Sequence, residues 1–130
     1  MVDISKIDMN RIEGLLDKLD SMKYVVESWC EGSSWYRVWS DGWIEQGGET
    51  SFIAWSVNGG AQTINLYIPM KDTLYQVSGT MIESTASWNT PGCMVTKLSN
   101  EQIKVGIATY TGNQGTARCS WEVKGYKKEN

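Results

Sequence analysis

The sequence contains no histidine. That removes the commonest general base and the commonest metal ligand, and with them Ser-His-Asp, Cys-His and His-metal chemistry. It has no Gly-rich phosphate loop and no GxSxG nucleophile elbow. No apolar run approaches the ~18 residues of a membrane span, and the opening MVDISKIDMN lacks the apolar stretch of a secretory signal. Clustered basic residues are missing too. The net charge is −3 and the pI about 4.9, so nothing favours a nucleic-acid partner. Lys124, Lys127 and Lys128 form the one basic run and read as a solvated tail. Phenylalanine is nearly absent: one Phe stands against 7 Trp and 6 Tyr. Aromatics with a polar edge suit half-wet surfaces, such as subunit interfaces and ligand platforms.

Cysteine is sparse. Cys30, Cys93 and Cys119 are an odd set at wide spacing that matches no zinc pattern. They are expected to be buried or semi-buried free thiols made in a reducing compartment. No metal or cofactor is expected.

At 130 residues the chain is one domain's length, with a change of character near Lys23. Residues 1–23 read as a helical stem and 24–130 as a β-domain. Residues 3–22 have a helix composition, with Asp3 or Ser5 as N-cap. Ile12, Leu15, Leu19, Met22 and Val26 alternate at spacings of three and four, the seam of a coiled coil. The seam covers only about two heptads, and Gly14 weakens it. A lone helix this short is marginal in water. It must pack either on its own β-domain or on copies of itself.

After Tyr24 the chain alternates large and polar residues between Gly clusters. Strands are expected at Tyr24–Cys30, Ser34–Ser40, Trp43–Gln46, Phe52–Val57, Thr63–Ile68, Thr73–Ile82, Met94–Leu98, Gln102–Tyr110 and Ala117–Tyr126. Gly47-Gly48 should bend or end the third. In the last, Ala117, Cys119, Trp121 and Val123 should face a core and Arg118, Ser120, Glu122 and Lys124 water. Short strands with turns every 8–12 residues argue an all-β sandwich or barrel, and a sandwich is expected here, with a short N-terminal coiled-coil-like helical stem.

Ser33–Gly48, SSWYRVWSDGWIEQGG, is the most unusual segment. Asp41-Gly42 signals a two-residue hairpin turn. That register puts Trp35, Arg37, Trp39, Ile44 and Gln46 on one face, and Tyr36, Val38, Trp43 and Glu45 on the other. Large groups on both faces favour a subunit interface formed by Trp35, Arg37, Trp39 and Trp43, with Arg37 stacked between Trp35 and Trp39. A sugar-stacking platform is the alternative. Asp41, Glu45 and Glu49 are the carboxylates a glycosidase would need, but a chain this short leaves little room for a deep groove, so no enzyme is expected. The better ligand candidates are Trp88 and Asn89 in the loop ESTASWNTPG, with Tyr110, Asn113 and Gln114 around TGNQG. Aromatics beside amides suit a carbohydrate contact.

YVVESW followed by SSWYRVWSDGWIEQGG, then INLYIPMKDTLYQV and the closing CSWEVKGYKK, resembles the C-terminal domains of bacteriophage and prophage tail fibres over residues 24–127. The layout is more distantly similar to H-type lectins. The resemblance implies a homotrimeric fibre-tip domain on a virion, joined to the rest of the fibre and docking a bacterial surface glycan or protein without membrane insertion. A purely structural trimerisation or capping domain is the other reading it allows. On the first reading the ligand-binding loops lie distal to the stem.

Overall fold

The computed structural model describes residues 9–56, 58–85, 92–108 and 114–128. Among these described residues one helix, α1 (Met9–Ser21), precedes nine strands: β1 (Val25–Glu31), β2 (Ser34–Trp39), β3 (Trp43–Glu49), β4 (Ile53–Trp55), β5 (Gly60–Asn65), β6 (Gln76–Ser84), β7 (Gly92–Lys97), β8 (Gln102–Ala108) and β9 (Gly115–Tyr126). Asp3 and Ser5, the expected N-caps, lie outside the described residues.

β9 is the spine. It is the longest strand at 12 residues and its length lets two strands share one of its edges. β3 pairs with Ser120–Tyr126 and β4 with Gly115–Ala117, while β6 takes the other edge. Thr50 keeps the chain on β9 between the two: its N–H donates to the Cys119 carbonyl at 2.8 Å and its Oγ1 accepts the Cys119 N–H at 3.0 Å. β2 and then β1 extend the sheet beyond β3, and β5-β8-β7 form a second, three-stranded sheet. Every pairing is antiparallel.

The two sheets share one core. Ile103, Val105 and Ile107 of β8 face Ala117, Cys119, Trp121 and Val123 of β9, with Ile53 and Trp55 of β4 and with Leu66, Met70 and Tyr75 from the connections. Both strands alternate with period two, as a half-buried sheet requires. The expected inward face of β9 is therefore observed. Its other face is less wet than expected: Arg118 is half-buried, donates to Glu49 and Glu83 at 3.0 and 2.8 Å, and lies 5.8 Å from the Phe52 ring centroid.

Three local expectations change. Gly47-Gly48 does not end β3, which runs through both to Glu49. At Gly47 a Cβ would lie 2.9 Å from Trp35 ring atoms, so a strand can continue here only with glycine. β5 ends at Asn65, before Leu66, because the 66–70 segment is held by a side chain instead of a strand. Gln46, fully buried, accepts the N–H groups of Tyr67 and Ile68 at 2.9 and 3.2 Å and donates to the Ile68 carbonyl at 2.8 Å. Finally, the cysteines are all unpaired, but Cys30 is exposed; Cys93 is half-buried and Cys119 buried. β1 is an edge strand, which leaves Cys30 uncovered.

α1 does not bury its seam on the β-domain. Leu15, Leu19 and Met22 are 58, 49 and 55% exposed, and Val26 beyond the helix is 55% exposed; Ile12 is half-buried.

Candidate functional site

The β2–β3 hairpin differs from its expected form by one residue. Val38 pairs with Ile44, Arg37 with Glu45, Tyr36 with Gln46 and Trp35 with Gly47. The loop is Ser40-Asp41-Gly42, three residues long, closed by Gly42 N–H to the Trp39 carbonyl at 2.9 Å with Gly42 at φ 89°. That is the type I turn followed by a left-handed glycine that three-residue hairpins use. A one-residue slip exchanges the faces of one strand relative to the other. Val38, Ile44 and Gln46 now turn inward, where all three are buried. Trp35, Arg37, Trp39, Trp43 and Glu45 share the outer face. The tryptophans of this hairpin thus share its outer face, while Tyr36 turns inward and stacks on Trp29 at 5.6 Å between centroids.

On that outer face Arg37 lies over Trp35 at 5.5 Å, but no stack with Trp39 accompanies it. Trp39 instead donates its indole N–H to Glu45 Oε1 at 2.9 Å. Trp43 meets Tyr126 of β9 edge to face, with centroids 5.2 Å apart and planes at 82°. Asp41 Oδ1 accepts the Trp43 N–H at 3.0 Å, and Lys23, between α1 and β1, places Nζ 3.1 Å from Asp41 Oδ2. The Trp43 N–H, followed by Lys23, holds the Asp41 carboxyl below the usual range; the hydrogen bond to Asp41 in turn raises Lys23. These six residues, Lys23, Trp39, Asp41, Trp43, Glu45 and Tyr126, line a cleft of about 360 Å³.

A second cleft, of about 400 Å³, opens on the same face and is lined in part by Ser33, Trp35, Glu49, Thr80, Ser120 and Glu122. It is rich in hydroxyls and carboxylates, the groups that bind a polyol. Its Trp35 lies against the sheet because Gly47 offers no side chain beneath it. On the inner side Tyr67 links Trp29 and Trp121, at 5.3 and 5.7 Å between centroids. The carboxylates considered for glycoside cleavage are engaged locally: Asp41 in the turn, Glu45 by Trp39, Glu49 by Arg118. Among the described residues no cluster of three or more Cys, Asp or Glu could hold a metal ion.

Of the expected ligand residues, Trp88, Asn89, Tyr110 and Asn113 lie outside the described residues, and Gln114 is exposed just before β9. The strands flanking those loops are informative. β6 ends with Ser84 opposite Ala117, and β7 begins with Gly92 opposite Ala108 at the end of β8. Near the same end Trp55 pairs with Gly115. β1 begins at the other end, with Val25 opposite Trp39, and there β9 finishes with Tyr126 opposite Trp43. The helix therefore joins one end of the sandwich, and the two loop-bearing pairs of strands terminate at the other. Sequence reasoning placed Glu45 on the face of Trp43 but not beside Trp39, and it missed Lys23 and Tyr126 as neighbours of the outer tryptophans. Only the register of β9 brings in Tyr126.

No protein-family model matches the chain, and no curated protein matches it. Solved structures do. The chain is similar to the C-terminal part of the P. aeruginosa R1 pyocin fibre, at 14% identity and TM-score 0.56 over 78% of this chain and 28% of that one. It is similar to an N-truncated R2-type pyocin tail fibre, at 13% identity and TM-score 0.62 over 96% of this chain and 51% of that one. It is also similar to an N-truncated R1-type pyocin tail fibre, at 12% identity and TM-score 0.60 over 88% of this chain and 95% of that one. The chain thus spans about half or less of the first two. The likeness is one of fold: the β-domain and its leading helix have the architecture of C-terminal tail-fibre fragments.

Proposed function

We propose that this chain is the tip domain of a bacteriophage or prophage tail fibre, a homotrimer that recognises a bacterial surface glycan as part of a virion. The observation that carries this reading is the fold shared with pyocin tail-fibre fragments across 96% of the chain in one case. Polarity supports it: the helix joins one end of the sandwich, and β6 and β8 end, and β7 and β9 begin, at the other. The tip would meet the cell with the loops that hold Trp88, Asn89, Tyr110, Asn113 and Gln114. The hydroxyl-rich cleft beside Trp35 offers further polyol contacts on the flank. A single shallow sugar site is weak, on the order of 1 mM or ~4 kcal/mol. Three per trimer and several trimers per particle raise avidity by orders of magnitude.

The test pairs a glycan array with binding to bacterial cells, using the parent chain, Trp88→Ala and Tyr110→Ala. The reading requires the parent to bind a surface glycan and both variants to lose cell binding while keeping mass and fold. A parent that assembles tightly and binds no surface ligand would leave the structural trimerisation domain as the function. The exposed apolar residues of α1 are the observation that favours that second reading.

A further inference from the structure

The cleft at the helix-joined end of the outer face is an aromatic corner with an acidic base. Trp43 and Tyr126 form two walls nearly at right angles, 82° apart, and Trp39 lines a third side. Glu45 is 19% exposed and fixed by the Trp39 indole; Asp41 is 25% exposed and fixed by the Trp43 N–H. A flat sugar ring wants one broad open aromatic face, and perpendicular walls do not provide it. A compact cation is suited to such a corner, since it needs no single broad face and is attracted by aromatic π-systems beside carboxylates. The charge count agrees. Lys124 is shared between Glu122 at 3.3 Å and Glu45 at 3.8 Å, so this one ammonium does not offset Glu45 alone. Lys23 is 67% exposed and holds Asp41 alone from the rim, where an ammonium group already sits beside the corner. With Lys23 swung into solvent, two carboxylates and three rings face a space of about 360 Å³.

We propose that this cleft is a binding site for a quaternary ammonium group, such as the headgroup of choline. A methylated ammonium has no N–H donors to satisfy and is weakly hydrated, so it sheds water at less cost than a lysine ammonium and gains contact with every wall. Glu45 and Asp41 supply the counter-charge, and Lys23 competes for the same ground. The site is distinct from the loops at the far end, and its fate does not decide the glycan reading.

The full chain is titrated with choline chloride, with sodium chloride and methyl glucoside at matched concentrations as controls, and followed by tryptophan fluorescence. Choline should give a saturable change that neither control gives. Trp43→Ala and Glu45→Gln should each weaken it by about tenfold, the scale of one lost cation–π or ionic contact. Lys23→Ala should tighten it several-fold by removing the competing ammonium. Glu45→Gln is near-isosteric and Lys23→Ala truncates an exposed side chain, so both keep the test valid if Trp43→Ala fails to fold. No saturable response to choline in Lys23→Ala overturns the proposal, as does methyl glucoside giving the same response or Glu45→Gln binding choline as tightly as the parent.

Discussion

Gln46 and Ile68 are locked to each other twice: Gln46 Nε2 donates to the Ile68 carbonyl at 2.8 Å and Gln46 Oε1 accepts the Ile68 N–H at 3.2 Å. Oε1 also takes the Tyr67 N–H at 2.9 Å, and Nε2 lies 3.4 Å from Met70 Sδ. One buried amide thus replaces a missing strand partner for the 66–70 segment. Gln46→Met keeps the volume but strands two N–H groups and a carbonyl. Each such group costs about 1–3 kcal/mol where water cannot reach it. With three such groups, the variant should lose about 3 kcal/mol or more in urea unfolding. An unchanged midpoint would show that this segment is held by its apolar contacts alone.

Much of this fold was legible in the residues, and the exceptions share a cause. β8 and β9 read correctly because their alternation is complete: Ile103, Val105, Ile107 on one, Ala117, Cys119, Trp121, Val123 on the other. The hairpin register did not, because Asp-Gly serves two-residue and three-residue loops alike, and choosing between them needs the burial of Ile44 and Gln46. Gly47-Gly48 read as punctuation because its reason, the Trp35 ring lying over Gly47, comes from the neighbouring strand. The outer corner needed β9 to bring Tyr126 beside Trp43 from 83 positions later in the chain. Long-range register is what a single sequence does not display.

Gly47 supplies the next test. An added Cβ would stand 2.7 Å from the Trp121 carbonyl oxygen and 2.9 Å from two Trp35 ring atoms. Backbone cannot yield cheaply, so Gly47→Ala should destabilise by about 1–3 kcal/mol, the usual cost of overpacking. Gly92, with nothing within 4 Å of its Cβ position, is the matched control, and Gly92→Ala should stay within about 0.5 kcal/mol of the parent. Equal midpoints for the two variants would refute the close packing of Trp35 on β3.

The thiols separate by burial. A thiol reagent should modify Cys30 rapidly in the folded chain, Cys93 slowly and Cys119 last, with three thiols counted after denaturation. Finding one would reveal a disulfide. Burial, reinforced by a hydrogen bond with Cys93, pushes the Cys119 thiol up to about 12 from an ordinary 9.0. The folded state therefore keeps a proton that the unfolded state releases above pH 9. Stability from this group is intact below pH 9 and declines as pH rises toward 12, by up to about 1.4 kcal/mol per pH unit. Cys119→Ala, compared with the parent across that window, should show a shallower decline. Parallel curves would mean that Cys119 ionises as it does in the unfolded chain.

The helix is where a trimeric assembly can be tested. Leu19 is 49% exposed in the chain alone, between Leu15 and Met22 at 58 and 55%. A 13-residue helix with this much uncovered apolar surface is marginal in water by itself, and three copies can bury one another's seams with Leu15 and Leu19 at successive levels. The parent should therefore run as a trimer by light scattering at micromolar concentration. Leu19→Asp would place three carboxylates at one level of that seam, where burying each unpaired charge costs several kcal/mol. Because Leu19 touches no part of the β-domain core, the variant should keep the parent's β-sheet circular dichroism while its mass falls to that of a monomer. A trimeric Leu19→Asp would show that α1 is not the stem, and a monomeric parent would remove the trimer altogether.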